Sequence, residues 1–349
     1  MKRAATTMTA VPMVRSSAVL PFAGFAEQIG VPVETLLAEA RLPHAIVYTG
    51  TETLVPLNHA FQFVYRLARK EGLGQLGFLV GSRTEFQTLG AFGRLVLQSL
   101  TLHEALEKIS QVIHLYNSAQ HIWIDSLAGR ARVNTVYRPK SVSGWQFGEQ
   151  YTLALLINCI RVATGPNWQP DEIHLEPSLH DLMGGRNDVL NGIPVKMAQV
   201  SALVFDRKLM STPLLRNQLA SAGVREDHYQ ALIASAPATD LPTSISQLAL
   251  MSFPDRHAQI GWIASAAGLS VRTLQRRLAD HGLDYSALID RVRFDHAQHL
   301  LRDPGRNLID IAYDLGYTDA SSLTRAFRRW TGTTPTTFRR LHVDQGRDR

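Results

Sequence analysis

Residues 260–278 read IGWIASAAGLSVRTLQRRL, and residues 308–330 read LIDIAYDLGYTDASSLTRAFRRW. Ile260, Ile263, Ala264 and Ala267 in the first stretch, and Leu308, Ile311, Ala312 and Leu315 in the second, fall at i, i+3, i+4 and i+7, just before Gly268 and Gly316. That spacing lays one buried stripe along a helix. The glycine can take the left-handed conformation that ends it. Two positions on, Ser270 or Thr318 supplies a hydroxyl to N-cap a second helix. That helix has an apolar stripe of its own: Val271, Leu274 and Leu278 in the first stretch, Ala320, Leu323, Phe327 and Trp330 in the second. Each stretch is a helix-turn-helix unit, and the two glycines stand 48 residues apart.

Opposite the stripes lie arginines. Arg272 and Arg276 are four apart and share a face, flanked by Thr273 and Gln275. In the second unit Ser321, Arg325 and Arg328 share the outer face, beside Ser322, Thr324 and Arg329. Arginine with Gln, Ser and Thr suits base edges and phosphates. One such helix would say little, because polar outer faces are the norm. A repeat of the same turn chemistry is much harder to reach by accident. Between the units, residues 285–302 carry apolar positions at helical spacing, from Tyr285 and Leu288 to Leu300 and Leu301, and predict one long helix holding the units apart. Two recognition helices on one face of a duplex should sit about 34 Å apart.

The 349 residues suggest two domains, and a 45% apolar fraction allows a sizeable core. The net charge of +6 is a mild indication of a polyanionic partner. Its distribution says more: residues 245–349 hold fifteen Arg, no Lys and eleven Asp, a surplus of four positive charges in under a third of the chain. Arginine codon bias is the competing explanation for the missing lysines, though not for the repeat. The single cysteine, Cys159, excludes an intramolecular disulfide and fits a reducing cytoplasm. No stretch reaches the length of a membrane span.

Residues 1–15 read as a disordered tail, for want of a convincing apolar stretch. Residues 16–235 read as an α+β domain, with a small sheet and several helices. Helices are predicted on either side of Gly30-Val31-Pro32, over residues 56–70, over 101–116 with Thr101 and Glu104 as a capping box, over 147–164 and over 213–234. Residues 122–125 and 132–137 alternate about a turn and predict a hairpin; 172–176 and 201–205 predict further strands. Residues 73–93 are glycine-rich and apolar, and their pattern assigns no element. Residues 236–244, with Pro237 and Pro242, read as a linker. Beyond it, residues 245–341 read as all-α, two helix-turn-helix units joined by the long helix, and 342–349 as a tail.

Cys159 sits among Leu155, Leu156, Ile157 and Ile160, the setting of a buried helix and not of a nucleophile. The thirteen histidines show no metal-ligand spacing, and no cofactor or metal is expected. Arg94, His114, Tyr116, Trp145 and Tyr151 are candidates to line an effector pocket, although aromatics at helical spacing are more often core.

The pattern from Ala264 through Arg276, followed by Ile311-Ala312, Leu315-Gly316-Tyr317, the run from Ser321 to Trp330, Gly332, Pro335 and Phe338-Arg339, resembles the DNA-binding domain of AraC/XylS-type bacterial transcription regulators. Earlier in the chain, Leu76-Gly77, Thr88-Leu89-Gly90, Thr101 to Leu106 and Ser201 to Arg207 are similar to the non-cupin α+β effector-binding domain of one branch of these regulators. Carried over, the resemblance implies base reading by Arg272, Gln275 and Arg276 in the first unit and by Ser321, Ser322 and Arg325 in the second. Ser270, Thr273, Thr324, Arg328 and Arg339 complete the expected DNA-binding set, Arg328 and Arg339 on phosphate. The expectation is a cytoplasmic, non-enzymatic activator of transcription with promoter DNA, RNA polymerase and a small-molecule effector as partners, a homodimer among its possible assemblies, and no membrane contact. Control by a partner protein or by abundance is the alternative within that class, and an enzyme docked to DNA the alternative outside it.

Overall fold

The structure, a computed structural model, describes residues 9–48, 52–138, 140, 143–183, 190, 192–214, 227–253 and 258–344. It divides into two compact units, Pro12–Pro237 and Ala238–Arg349, the latter taking in Met1–Val11. No helix among the described residues is long and apolar enough to cross a membrane.

The first unit runs β1 (Met13–Arg15), α1 (Leu20–Gln28), α2 (Val33–Ala40), α3 (Ala45–Tyr48), β2 (Leu54–Pro56), α4 (Leu57–Glu71), α5 (Leu76–Gly81), α6 (Gly90–Leu97), α7 (Leu102–Tyr116), β3 (Gln120–Leu127), β4 (Arg130–Tyr137), α8 (Trp145–Thr164), β5 (Glu172–Leu175), α9 (Pro177–Leu182), β6 (Val195–Met197), β7 (Ser201–Asp206) and α10 (His228–Ala234). Strands β3-β4-β7-β5-β6 make one sheet, antiparallel except for β5 and β6; β1 pairs with β2 apart from it. The hairpin is longer than its alternation predicts, because Ala128 and Gly129 both take positive φ (49° and 80°) and close it in two residues. Thr101 Oγ1 accepts from the Glu104 N–H (3.2 Å), and the Glu104 carboxylate accepts from the Leu100 N–H (2.8 Å), so α7 starts on a capping box displaced by one residue.

Helix α8 is buried nearly all round, because its sequence is apolar on every side, and it crosses both the sheet and α5. The glycines of residues 73–93 explain themselves here. A β-carbon on Gly77 would lie 2.1 Å from the Phe147 carbonyl oxygen, and one on Gly81 2.6 Å from the Ala154 β-carbon. Helix α5 therefore lies backbone-to-backbone on α8. The Gln150 side chain accepts from the Gly77 N–H (3.1 Å) and donates to the Gly74 carbonyl (2.9 Å), fixing that contact.

Two boundaries differ from the sequence expectation. Met13–Arg15 is a buried strand and not part of a tail. The Arg15 guanidinium donates to the carbonyls of Leu115 and Leu232 (both 3.0 Å) and to the Ser235 hydroxyl (3.0 Å), and lies 3.5 Å from Glu52. A buried charge is tolerated on such terms, and hydrophobic periodicity carries no sign of it. The expected linker is also cut short. Asp240 accepts from the Thr243 N–H (2.8 Å) and starts a helix at Leu241, with Pro242 in the first turn, where its missing N–H costs nothing. The predicted helix over 213–234 lies partly outside the described residues; His228–Ala234 is its helical portion within them. Residues 1–8 and 345–349 of the expected tails also lie outside them, whereas 342–344 end the last helix.

The second unit is all helix in its described residues: α11 (Leu241–Ser252), α12 (Ile260–Ala266), α13 (Val271–Asp280), α14 (Tyr285–Leu301), α15 (Leu308–Asp314), α16 (Ala320–Thr331) and α17 (Pro335–Asp344). Helix α14 is the long connector. Its C-terminal half joins Ile311, Leu315, Leu323 and Phe327 in one core beneath the second helix-turn-helix.

Candidate DNA-reading surface and sensor cavity

Both helix-turn-helix units close as their glycines require. Gly268 has φ 65° and Gly316 φ 78°. A β-carbon at Gly316 would also stand 2.9 Å from the Phe253 carbonyl oxygen, so the second turn has no room for another residue. In the first unit Ser270 caps α13, its hydroxyl accepting from the Thr273 N–H (3.2 Å) and lying 2.8 Å from the Thr273 hydroxyl. Leu274 and Leu278 are fully buried, while Arg272, Gln275 and Arg276 are exposed on the other face. Val271, expected inward, is 37% exposed, since the first helical residue stands clear of the packed stripe.

The second unit departs from its sibling at the cap. Asp319, and not Thr318, caps α16: its carboxylate accepts from the Ser322 N–H (2.7 Å), the Ser322 hydroxyl (2.9 Å) and the Thr318 hydroxyl (2.9 Å). Those donors, the backbone N–H first, hold the Asp319 carboxyl down to about 2. The Ser322 hydroxyl in turn accepts from Arg325 (3.0 Å). Two of the three expected base readers of this unit are thus engaged with each other beside a fixed negative charge, while Ser321 and Arg328 are exposed. Thr324 donates back to the Ala320 carbonyl (2.8 Å) within its own helix.

Arg339 has a partner within the protein. Its Nε donates to the Leu301 carbonyl (3.3 Å) at the end of α14, and the side chain is half-buried. A cation there satisfies a carbonyl that the helix leaves open and meets the negative end of the helix dipole. This arginine ties α17 to the connector.

Sequence reasoning missed Arg293 altogether. From α14 its Nε donates to the Leu315 carbonyl (3.2 Å), the residue before the turn glycine, and its guanidinium stacks over the Phe253 and Tyr317 rings, each 5.1 Å from the centroid. It links α11, the connector and the second turn. An arginine set between the apolar Val292 and Phe294 of α14 is the only sign of it in the sequence. Arg329 is held by Asp290 of α14 (2.7 Å).

In the compact unit Pro12–Pro237, α6, α7, α8 and the β3–β4 hairpin line a cavity of about 40 Å³. Tyr116 and Tyr151 line it; Arg94 and His114 are exposed and do not, because each falls on the outward side of its helix. Trp145 is buried, but its ring faces the Lys140 ammonium (4.6 Å to the centroid) and takes no part in the lining. Sequence reasoning missed Tyr137, Asn117 and Gln120, which the hairpin brings to the cavity from beyond the end of α7. Cys159 is fully buried, and burial pushes its thiol up to about 12, which removes the thiolate a nucleophile needs.

Comparison with known proteins agrees with this layout. The helix-turn-helix domain family matches residues 263–341, and the family described as the arabinose-binding domain of AraC transcription regulators, N-terminal, matches residues 30–214. The HTH-type transcriptional regulator VirS of Mycobacterium tuberculosis is 26% identical over 82% of this chain and 80% of its own. The ornithine utilization regulator of Pseudomonas aeruginosa is 24% identical over 95% and 97%. The transcriptional activator RhaS of an Enterobacter species is 36% identical over 28% of this chain and 36% of its own. With an N-terminal match spanning more than half its length and a double helix-turn-helix behind it, this chain belongs to the AraC-type transcription regulators, DNA-binding proteins that control transcription.

Proposed function

We propose that the chain is a cytoplasmic, effector-controlled activator of transcription whose first helix-turn-helix reads bases and whose second mainly grips the backbone. The observation that carries the division of labour is the contrast between the two caps. Helix α13 starts on a neutral serine and presents Arg272, Gln275 and Arg276 free of protein partners on its exposed face. Helix α16 starts on an ionised aspartate that engages Ser322, with Arg325 held behind it. Ser270 and Thr273 at the tip of α13, and Ser321 and Arg328 on α16, are the supporting phosphate contacts. Activation is supported by the RhaS likeness, and RNA polymerase is the partner an activator requires. A homodimer would place four such units on one operator.

Control by a small molecule is supported by the aromatic cavity of the first unit, the kind of concave, mostly apolar place where ligands bind. No cluster of three or more His, Cys, Asp or Glu placed to hold a metal occurs among the described residues, and the reading invokes none. Footprinting of the full chain on its own promoter, followed by in vitro transcription with and without candidate metabolites, tests the whole proposal. Protection of two adjacent major-groove segments and metabolite-dependent transcripts are expected. Sequence-independent coating of DNA would overturn it.

A further inference from the structure

We infer that the cavity of the first unit takes an uncharged, largely apolar small molecule carrying one hydrogen-bonding oxygen, and that ionised effectors are rejected there. The inference deepens the sensor reading, and rests on it only for the consequence in DNA binding.

The first support is what the lining lacks. Phe86, Phe92, Ile109, Ile113, Leu155 and Leu156 give it an apolar wall, and no Asp, Glu, Lys, Arg or His lines it. Its three tyrosines are buried and their phenols are pushed upward by burial, so they stay neutral. Arg15 and Glu52 stand behind Tyr116 through the Ser17 hydroxyl and pair with each other at 3.5 Å, and the Glu149 carboxyl near Tyr137 is pushed up to about 8 by burial. An effector carboxylate or ammonium would be stripped of water with no counter-ion, at a cost that favours staying in solution.

The second support is how the polar groups are used. Asn117 donates to the Tyr137 hydroxyl (3.1 Å) and accepts from the Ala119 N–H (3.2 Å). Gln120 donates to the Thr135 hydroxyl (3.3 Å) and to Thr152, and Thr152 donates to the Gly148 carbonyl (3.0 Å). The Tyr151 hydroxyl is the least engaged of these groups: its one neighbour is the Thr84 hydroxyl, which itself donates to the Val80 carbonyl (2.9 Å), and the contact is too loose to count as a full hydrogen bond. A buried donor of that kind is worth satisfying, and a ketone, ether or hydroxyl oxygen on an apolar body does so without bringing charge. About 40 Å³ admits roughly three waters or a short chain of comparable bulk.

The test uses the full chain and three probes of four heavy atoms each, matched to that volume, at neutral pH: acetone, acetate and propylamine. Titration calorimetry and thermal unfolding report binding. Acetone is expected to bind and raise the midpoint, with acetate and propylamine at least tenfold weaker. Tyr151→Phe, which removes only the hydroxyl, should weaken acetone about fivefold, the size of one net hydrogen bond. Ile113→Phe, with Leu156→Phe as a second filler, should abolish binding while the protein unfolds cooperatively. Binding of acetate or propylamine as tightly as the ketone overturns the inference; so does failure of all three to bind, or ketone binding that survives both fillers. If the ketone binds as described and DNA affinity and transcription do not respond, the ligand class stands and the sensor reading falls.

Discussion

Arg272 and Arg339 would be interchangeable in a list of basic residues, yet their surroundings assign them opposite consequences. Arg272→Ala or Arg276→Ala should leave the thermal midpoint unchanged and cost about 1–3 kcal/mol of binding, with preference relaxed at particular base pairs. Competition titrations on cognate and scrambled duplexes check this; equal losses on both would mean that neither side chain reads bases. Arg339→Ala should instead lower stability by about 1–2 kcal/mol through the lost bond to the Leu301 carbonyl. If that bond is its whole role, it should leave the slope of affinity against salt as it was, whereas a phosphate contact would flatten the slope by about one unit. Thermal unfolding and a salt titration of the same variant separate the two. Glu149 gives a third consequence at this scale. It is fully buried, and burial, then the nearby Glu176, pushes its carboxyl up to about 8 against the partial relief of Lys140 and of the Ser201 and Thr135 hydroxyls. The folded form therefore keeps a proton that the unfolded chain gives up near its ordinary value. Stability from this group is greatest in acid and falls as pH rises towards about 8, by on the order of 1 kcal/mol per pH unit. Glu149→Gln should flatten that fall and raise the midpoint at pH 8; an unchanged pH profile would show that the carboxyl is not the titrating group.

At the scale of elements, the second turn shows why one cap was legible and the other was not. Ser270 and Thr318 occupy equivalent places, and the sequence offers both as caps. The structure takes Ser270 but passes over Thr318 for its neighbour Asp319, because an ionised carboxylate accepts from two donors of Ser322 where a hydroxyl would accept from one. Local spacing locates the turn and cannot choose between adjacent capping residues. Long stripes were readable for the opposite reason. The helices α4, α7, α13, α14 and α16 and the hairpin bury one face each, so periodicity alone declares them. Helix α5 has no such face, since its glycines serve a contact with α8 some seventy residues away. The cavity was half legible: Tyr116 and Tyr151 stand on striped helices, whereas Tyr137, Asn117 and Gln120 reach it only through the folding of the hairpin. The α5–α8 contact carries its own prediction. Gly77→Val puts side-chain atoms where the Phe147 carbonyl oxygen stands, and no rotamer relieves a clash with backbone. It should cost about 2–3 kcal/mol, against well under 1 for Gly24→Ala, where nothing lies within 4 Å of the added carbon. Denaturant unfolding of both variants measures the difference; equal losses would mean that the helices do not pack backbone-to-backbone.

For the whole molecule, the question is how a ligand in one compact unit alters what the other does on DNA. Ligand binding can shift DNA affinity only by as much as the ligand prefers one conformational state over another. By reciprocity, promoter DNA must shift ligand affinity by the same factor. The second unit has its own caps, its own core around Phe327 and its own connector, so a fragment from Ala238 onward should fold as helix and bind promoter DNA in a salt-dependent manner. What the fragment must lack is the response to effector. The full chain should show an effector-dependent change in promoter affinity or in transcript yield, and the fragment a constant value under the same titration. A fragment that folds yet shows no salt-sensitive binding would place essential DNA contacts in the first unit. A fragment that still responds to the effector would place the sensor in the second, and the aromatic cavity would then have to be explained as packing alone.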